Sequence, residues 1–300
     1  MDIGGIKMEI IKGIIPAMGT PTKSEKEIDI IGLKNMTRYF IDSGVHGLFV
    51  LGSMGGCGFF GPNQVKDIVK PVAEENNGQL PVLVGISDTS TQLAIRRGIQ
   101  AKKAGADAVV LAPPYYFNFT IEQIKLHYKL VANSVALPLF IYNNPGYTGF
   151  KFTPELVYEL SKEKNIIGIK DSGGNFSETI AFINKFKDHQ FGIYSGDEKS
   201  FGEAIAWGAD GAVIGTNFDP KLLVSIYQAG KSQNTEQLKK LQNQLNSLME
   251  IQFFGDLFAG YHYAFKLLNI CDEYVMNPVR KLNKKQKEKI ESILKEHSLI

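Results

Sequence analysis

The sequence contains few cysteines: two in 300 residues, Cys57 and Cys271. They lie far apart in the chain and form no CxxC pair, so no redox motif or disulfide framework is indicated. A reduced, cytoplasmic protein is the simplest interpretation. Histidine is also sparse. None of the five is spaced from another histidine, a cysteine or a carboxylate cluster as metal ligands would be, so we expect no metal site.

The chain also lacks an excess of charge of either sign and any long apolar run. With 33 basic and 31 acidic residues, the formal net charge is +2, which gives no electrostatic reason to expect nucleic acid or an anionic membrane as a partner. No stretch approaches the roughly 18 apolar residues of a membrane span. The first seven residues hold no apolar core of a secretory signal, and none is expected.

What the sequence does have is a set of eight short apolar runs. They lack polar alternation, as is typical of parallel strands that are buried on both faces. Each is followed by an amphipathic stretch of helical period. The runs are 13–18, 47–52, 81–86, 107–112, 138–142, 165–170, 191–196 and 211–215.

This eightfold repetition of a strand and a helix predicts an α/β fold, a (β/α)8 TIM barrel. Two of the units, "AGADAVVLA" and "WGADGAVIG", are near-copies. A doubly wound open sheet is the alternative, but no GxGxxG follows the first strand. Residues 1–225 are expected to form the catalytic barrel. Residues 226–300 read as helices and are expected to form a C-terminal helical region packed on it.

The chemistry of such barrels takes place at the C-terminal ends of the strands. Among the residues that end the eight runs, Lys170 is the only lysine. A partly desolvated amine can attack a ketone and form a Schiff base. A lysine in this place can equally reach out to solvent or pair with Asp171, and its position alone does not decide between these roles.

Two neighbouring strand ends supply further candidates. Tyr142 ends the run before Lys170, and a phenol beside an amine can shuttle protons, although a tyrosine there can also be a core residue. The loop "GSMGG" follows the second run. Its backbone N–H groups and the Ser53 hydroxyl can hold a carboxylate, but glycine-rich turns are common.

Several segments, in the same order along the chain, resemble those of the pyruvate-dependent class I aldolases typified by dihydrodipicolinate synthase and N-acetylneuraminate lyase. They are "GIIPAMGTPT", "GSMGG", "AGADAVVLAPPYY", "YNNPGYTG", "GIKDSGG", "YSGDE" and "GAVIGTN". The resemblance implies the same barrel, usually as a tetramer built from two dimers. It also implies an imine on lysine, with pyruvate and an aldehyde as partners and with no metal or organic cofactor.

The resemblance further implies individual roles. Lys170 is similar to the Schiff-base lysine and Tyr142 to the proton-shuttling tyrosine. Ser53 stands where the family binds the carboxylate of pyruvate. Tyr116 matches a residue that often enters a neighbouring subunit's site, and Val213 matches a residue whose carbonyl faces the substrate.

The chain departs from the family pattern at two places. In the substrate-binding loop, Met54 replaces a second hydroxyl and Gly56 replaces an acid, which puts the usual proton relay in doubt. After "YNNP", Tyr147 stands where dihydrodipicolinate synthases carry an arginine for the carboxylate of the second substrate. We therefore expect a sugar-acid lyase, acting on a 2-keto-3-deoxy or sialic-acid-like substrate.

In such a lyase Asp197 and Glu198 can bind sugar hydroxyls. The alternative is that "SGDE" only caps the following helix. Three other functions stay open. These are dihydrodipicolinate synthase (4-hydroxy-tetrahydrodipicolinate synthase) itself, a hydratase or dehydratase of the family, and a barrel that binds 2-oxo acids without turnover.

Overall fold

The computed structural model describes residues 9–300, and eight parallel strands form its central sheet. The side chains of these strands are almost all buried, as the apolar runs predict. A short hairpin, β2–β3, precedes the first helix and was not predicted. The strands are β1 Gly13–Pro16, β2 Thr22–Ser24, β3 Glu27–Ile28, β4 Leu48–Val50, β5 Val82–Gly85, β6 Ala108–Leu111, β7 Leu139–Asn143, β8 Ile166–Asp171, β9 Gly192–Ser195 and β10 Gly211–Ile214.

The sheet closes almost completely on itself. Its strand order is β1-β10-β9-β8-β7-β6-β5-β4, and every pairing is parallel. The remaining seam between β1 and β4 is joined by a bridge between Ala17 and Phe49. The predicted (β/α)8 barrel is therefore confirmed.

Helices follow the barrel strands and surround them. Several begin with a residue whose side chain caps the first turn. The Thr153 and Asp219 side chains, for example, accept hydrogen bonds from backbone N–H groups in the first turns of α6 and α9. The helices are α1 Ile30–Asp42, α2 Val65–Asn76, α3 Thr91–Lys103, α4 Ile121–Val135, α5 Pro145–Thr148, α6 Pro154–Leu160, α7 Phe176–Phe186, α8 Phe201–Ala206, α9 Pro220–Lys231, α10 Thr235–Met249, α11 Leu257–Leu267 and α12 Lys284–Glu296.

The C-terminal helices pack against the catalytic end of the barrel. Tyr261 of α11 is fully buried, and its hydroxyl accepts a hydrogen bond from the Gly19 N–H and donates one to Asn217. Asn217 in turn donates to the carbonyl groups of Ala17 and Ile214, at the ends of β1 and β10. The predicted boundary at residues 225 and 226 lies inside α9, and we propose that residues 226–300 belong to one unit with the barrel.

Three short 3-10 helices complete the fold, at Cys57–Phe59, Pro62–Gln64 and Glu250–Phe253. The first follows the "GSMGG" loop and forms part of the wall of the cavity described below. Among residues 9–300, no helix has both the length and the apolar character needed to cross a bilayer.

Candidate active site

A cavity of about 410 Å³ opens at the C-terminal ends of β4 to β7. Its volume lies within the range of small-molecule sites. Six aromatic side chains contribute to its walls, together with hydroxyl and amide groups. The lining includes Phe49, Ser53, Tyr115, Tyr142, Asn144 and Tyr147.

Lys170 is 6% exposed and lies against two residues that line this cavity. Its Nζ is 4.2 Å from the ring centroid of Tyr142 and 5.0 Å from that of Phe49, both of which line the cavity. A Cβ at Gly196 would stand 3.1 Å from Lys170 Cε and 2.0 Å from Ser172 Oγ. Glycine at 196 therefore leaves room for the stem of the lysine.

The alternative of an ion pair between Lys170 and Asp171 is not what the structure shows. Successive residues of a strand point to opposite faces, and the Asp171 carboxylate lies on the outer face. There it accepts hydrogen bonds from Asn143 at 2.7 Å, Thr179 at 2.7 Å and the Gly173 N–H at 3.1 Å. Burial raises the pKa of Asp171, and these donors lower it, with a net rise. No salt bridge of Lys170 is found within residues 9–300.

Tyr142 stands directly opposite Lys170 in the pairing of β7 with β8. Its hydroxyl lies 3.2 Å from Ser53 Oγ and accepts a hydrogen bond from Asn144 Nδ2 at 2.8 Å. Burial by itself raises the pKa of Tyr142. The charge of Lys170 and hydrogen bonds from Ser53, Asn144 and Lys170 lower it and outweigh burial, so the pKa lies below its ordinary value. A phenol in this state is suited to accept a proton.

The loop after β4 carries Ser53 into the cavity and turns Met54 away from it. Leu51 has a φ of 56°, which is unusual for a leucine, and the chain reverses there. The Met54 side chain is buried, and its Cε would stand 3.0 Å from a Cβ placed on Gly215. Met54 does not line the cavity, and its predicted part in substrate binding stays a prediction.

Asp197 and Glu198 do not line the cavity. Glu198 accepts hydrogen bonds from the backbone N–H groups of Gly215 and Thr216 and from the Thr216 hydroxyl. Asp197 accepts from the Lys199 N–H and the Ser200 hydroxyl, just before α8. These contacts support the alternative of local capping. They do not support binding of sugar hydroxyls.

Two other predicted residues lie away from the cavity of their own chain. Val213 is buried in β10, opposite Ile15 of β1, and the role of its carbonyl stays a prediction. Tyr116 is 85% exposed, with a φ of 88°, and its ring packs edge-on against Phe117 at 4.9 Å. A role in a neighbouring subunit's site also stays a prediction.

The sequence argument missed Asn144 and the aromatic wall formed by Tyr115 and Tyr147. Asn144 lies immediately after β7, so its position two residues beyond Tyr142 was the available signal. Burial raises the pKa of both wall tyrosines, which therefore present neutral hydroxyls. Within residues 9–300 no group of three or more acidic, histidine or cysteine side chains is arranged to hold a metal ion.

A family model described as the dihydrodipicolinate synthetase family matches residues 10–297. A relative from Archaeoglobus fulgidus, named 4-hydroxy-tetrahydrodipicolinate synthase, is 31% identical over 97% of this chain and 100% of its own. The seven segments that resemble the family therefore belong to a similarity that extends over nearly the whole chain.

Among solved structures, dihydrodipicolinate synthases are also similar to this chain over nearly its whole length. A dihydrodipicolinate synthase from Bacteroides thetaiotaomicron has a TM-score of 0.91 and 34% identity, and the match covers 96% of this chain and 100% of that one. A synthase from Acinetobacter baumannii in complex with pyruvate has a TM-score of 0.91 and 29% identity, covering 97% and 100%. A structure described as a monomeric variant, with a TM-score of 0.90 and 27% identity, covers 96% and 97%. The names of these proteins support the synthase alternative better than the sugar-acid lyase.

Proposed function

The chain belongs to the dihydrodipicolinate synthetase family, and on that premise we propose that Lys170 forms the imine with pyruvate and that Tyr142 moves the proton. Enzymes of this family are pyruvate-dependent carbon–carbon lyases. Their chemistry uses a lysine Schiff base and needs neither a metal nor an organic cofactor. Two things are assigned in this proposal: the roles of individual residues of this chain and the identity of the aldehyde.

One observation carries the assignment of the residues: a buried amine faces, across two neighbouring strands, a phenol that lines the cavity. Lys170 Nζ lies 4.2 Å from the Tyr142 ring centroid, and the carboxylate that follows the lysine points to the other face of the sheet. An ammonium group without a paired carboxylate can lose its proton and act as a nucleophile.

The cleavage reaction follows from this geometry. The amine of Lys170 attacks the ketone of a 4-hydroxy-2-oxo acid, Tyr142 donates a proton to the departing hydroxyl group, and loss of water leaves a protonated imine and the Tyr142 phenolate. Tyr142 accepts the proton of the C4 hydroxyl as the C3–C4 bond breaks and its electrons move to the imine nitrogen. The aldehyde leaves, Tyr142 returns the proton to C3, and water hydrolyses the imine to pyruvate and free lysine. In the reverse direction the same steps form the bond.

For the aldehyde, the cavity wall favours a partner that carries hydroxyl groups and no second carboxylate. The outer wall presents the neutral Tyr115 and Tyr147 together with Asn144 and Thr148. No arginine lines the cavity among the described residues, although an arginine fork is the usual partner of a carboxylate. The guanidinium of Arg97 is bound to Asp88 at 2.6 Å. Cleavage of a 2-keto-3-deoxy sugar acid would release such a hydroxyaldehyde.

The second candidate is 4-hydroxy-tetrahydrodipicolinate synthase, which joins pyruvate to aspartate semialdehyde. The names of the relatives favour it, and at 31% identity they match the chain throughout its length. Tyr147 in the place of the arginine is the observation against it. The relatives carry enzyme names, which also argues against a barrel that only binds 2-oxo acids.

Initial rates with pyruvate and either glyceraldehyde or aspartate semialdehyde separate the two candidates. We expect a higher kcat/KM with glyceraldehyde in the wild type. We expect Tyr147→Arg to raise kcat/KM for aspartate semialdehyde about tenfold, because an added charged hydrogen bond contributes about 1.5 kcal/mol. Tyr147→Phe is the matched control. A wild-type preference for aspartate semialdehyde would reject the hydroxyaldehyde and establish the synthase.

We also propose a cytoplasmic homo-oligomer, a dimer or tetramer, in which Tyr116 enters the site of a second copy. The exposed Tyr116 and Phe117 rings support this proposal. The monomeric variant among the similar structures shows that the fold does not require assembly in every member.

A further inference from the structure

Asn144 makes a direct hydrogen bond to the tyrosine that the proposed mechanism uses as its proton carrier. Its Nδ2 donates to Tyr142 Oη at 2.8 Å, a shorter distance than the 3.2 Å between Tyr142 Oη and Ser53 Oγ. Asn144 also lines the cavity. The contact therefore lies at the reacting end of the phenol, within the site itself.

The backbone around Asn144 fixes the direction of this side chain. Asn144 follows β7 directly and precedes Pro145, the first residue of α5. Its carbonyl accepts hydrogen bonds from the N–H groups of Tyr147 and Thr148, both at 3.1 Å, and from the Thr148 hydroxyl at 3.0 Å. The turn is thus held by main-chain contacts that do not depend on the Asn144 amide, which leaves the amide available for Tyr142.

The chemistry of an amide N–H differs from that of a hydroxyl in this position. A hydroxyl donates or accepts and can pass a proton on, whereas the NH₂ of asparagine only donates. The Asn144 N–H therefore donates to a lone pair of the phenolic oxygen, and this hydrogen bond becomes stronger as negative charge develops on that oxygen. The remaining polar neighbours of that oxygen are Ser53 and Lys170.

We propose that Asn144 is a positioning residue that holds Tyr142 in its proton-accepting state during imine formation and carbon–carbon cleavage. This inference rests on the proposed function of Tyr142. The amide stabilises the phenolate directly, next to the Ser53 hydroxyl on the same oxygen. The net lowering of the Tyr142 pKa, to which Asn144 contributes, agrees with this role.

Two variants of similar size test the proposal: Asn144→Leu removes the donor, and Asn144→Asp replaces it with an acceptor. Loss of the donor destabilises the phenolate and raises the pKa of Tyr142. The acid limb of the kcat profile therefore moves to higher pH, by about one unit in Asn144→Leu and further in Asn144→Asp. At pH values on the acid limb we expect kcat of the variants to be about tenfold lower than that of the wild type at the same pH. KM for pyruvate should change little.

A double-mutant cycle shows whether Asn144 acts through Tyr142. In a Tyr142→Phe background, Asn144→Leu should cause no further loss of kcat. A similar additional loss in that background would overturn the proposal, because Asn144 would then act elsewhere. An unmoved pH profile in both single variants would overturn it as well.

Borohydride trapping with pyruvate separates failure of this inference from failure of the proposed function. If the wild type yields an adduct on Lys170 and the profiles move as described, the inference is supported. If the adduct forms and the profiles do not move, the inference alone is rejected. If the folded wild type yields no adduct, the proposed function is rejected, and the inference is rejected with it.

Discussion

The polar residues at two pairs of strand ends in this barrel differ in the contacts that their side chains make. At the ends of β7 and β8, Tyr142 lines the cavity and Lys170 lies against its ring, and the amine has no carboxylate paired with it in the described residues. At the ends of β9 and β10, Glu198 accepts three hydrogen bonds from Gly215 and Thr216. Both pairs lie at the catalytic face of the barrel. The Glu198 carboxylate is used in hydrogen bonds that hold the fold together, whereas the Lys170 amine can react with a substrate.

The comparison shows that the partners of a side chain decide its role, more than its residue type or its strand position. An acid that already accepts several hydrogen bonds would lose them on binding a substrate, and each costs free energy to replace. Lys170 interacts mainly with aromatic rings at 4.2 and 5.0 Å, and these interactions do not consume its lone pair once the proton is lost.

The largest effect in this comparison is expected from Tyr142→Phe. Removing the phenolic oxygen removes the proton carrier, so kcat should fall about 10²- to 10⁴-fold, while circular dichroism stays as in the wild type. Tyr115→Phe is the matched control, because Tyr115 lines the same cavity and, within residues 9–300, its ring is not among those that Lys170 Nζ lies over. Equal losses in the two variants would mean that Tyr142 is only one of several wall residues.

A smaller effect on activity, with a measurable effect on stability, is expected from Glu198→Gln. The amide keeps one acceptor oxygen and loses the charge, so the free energy of unfolding should fall by about 1–2 kcal/mol. We expect kcat/KM to stay within about threefold of the wild type, since Glu198 lies outside the cavity. Denaturant unfolding and initial rates provide the two measurements.

The opposite result for Glu198→Gln would support binding of sugar hydroxyl groups by Glu198, which its contacts argue against. Stability would then be unchanged, and kcat/KM would fall only for hydroxylated aldehydes. Asp197→Asn is the matched control, because its carboxylate contacts only the following turn.

Much of the fold was predictable because each barrel strand is an unbroken apolar run. The runs identified all eight barrel strands, and the amphipathic stretches between them identified most helices. The hairpin β2–β3 and the four-residue helix α5 were missed, because elements of two to four residues are too short for periodicity to appear.

The candidate site was predictable only in part. Lys170 and Tyr142 follow from their places at strand ends, and the structure brings them together. The direction of the Met54 side chain and the contacts of Glu198 depend on a backbone reversal at Leu51 and on neighbours more than 15 positions away in sequence. No local pattern encodes these. The bond from Asn144 to Tyr142 depends equally on three-dimensional contact, although the two residues are close in sequence.

The most direct test of the account is borohydride reduction in the presence of pyruvate, followed by peptide mass mapping. The account predicts a reduced pyruvyl adduct on Lys170 in the wild type and in Glu198→Gln, and none in Lys170→Ala. Absence of any adduct from the folded wild type with excess pyruvate, or an adduct confined to another lysine, would contradict the central claim that Lys170 is the nucleophile.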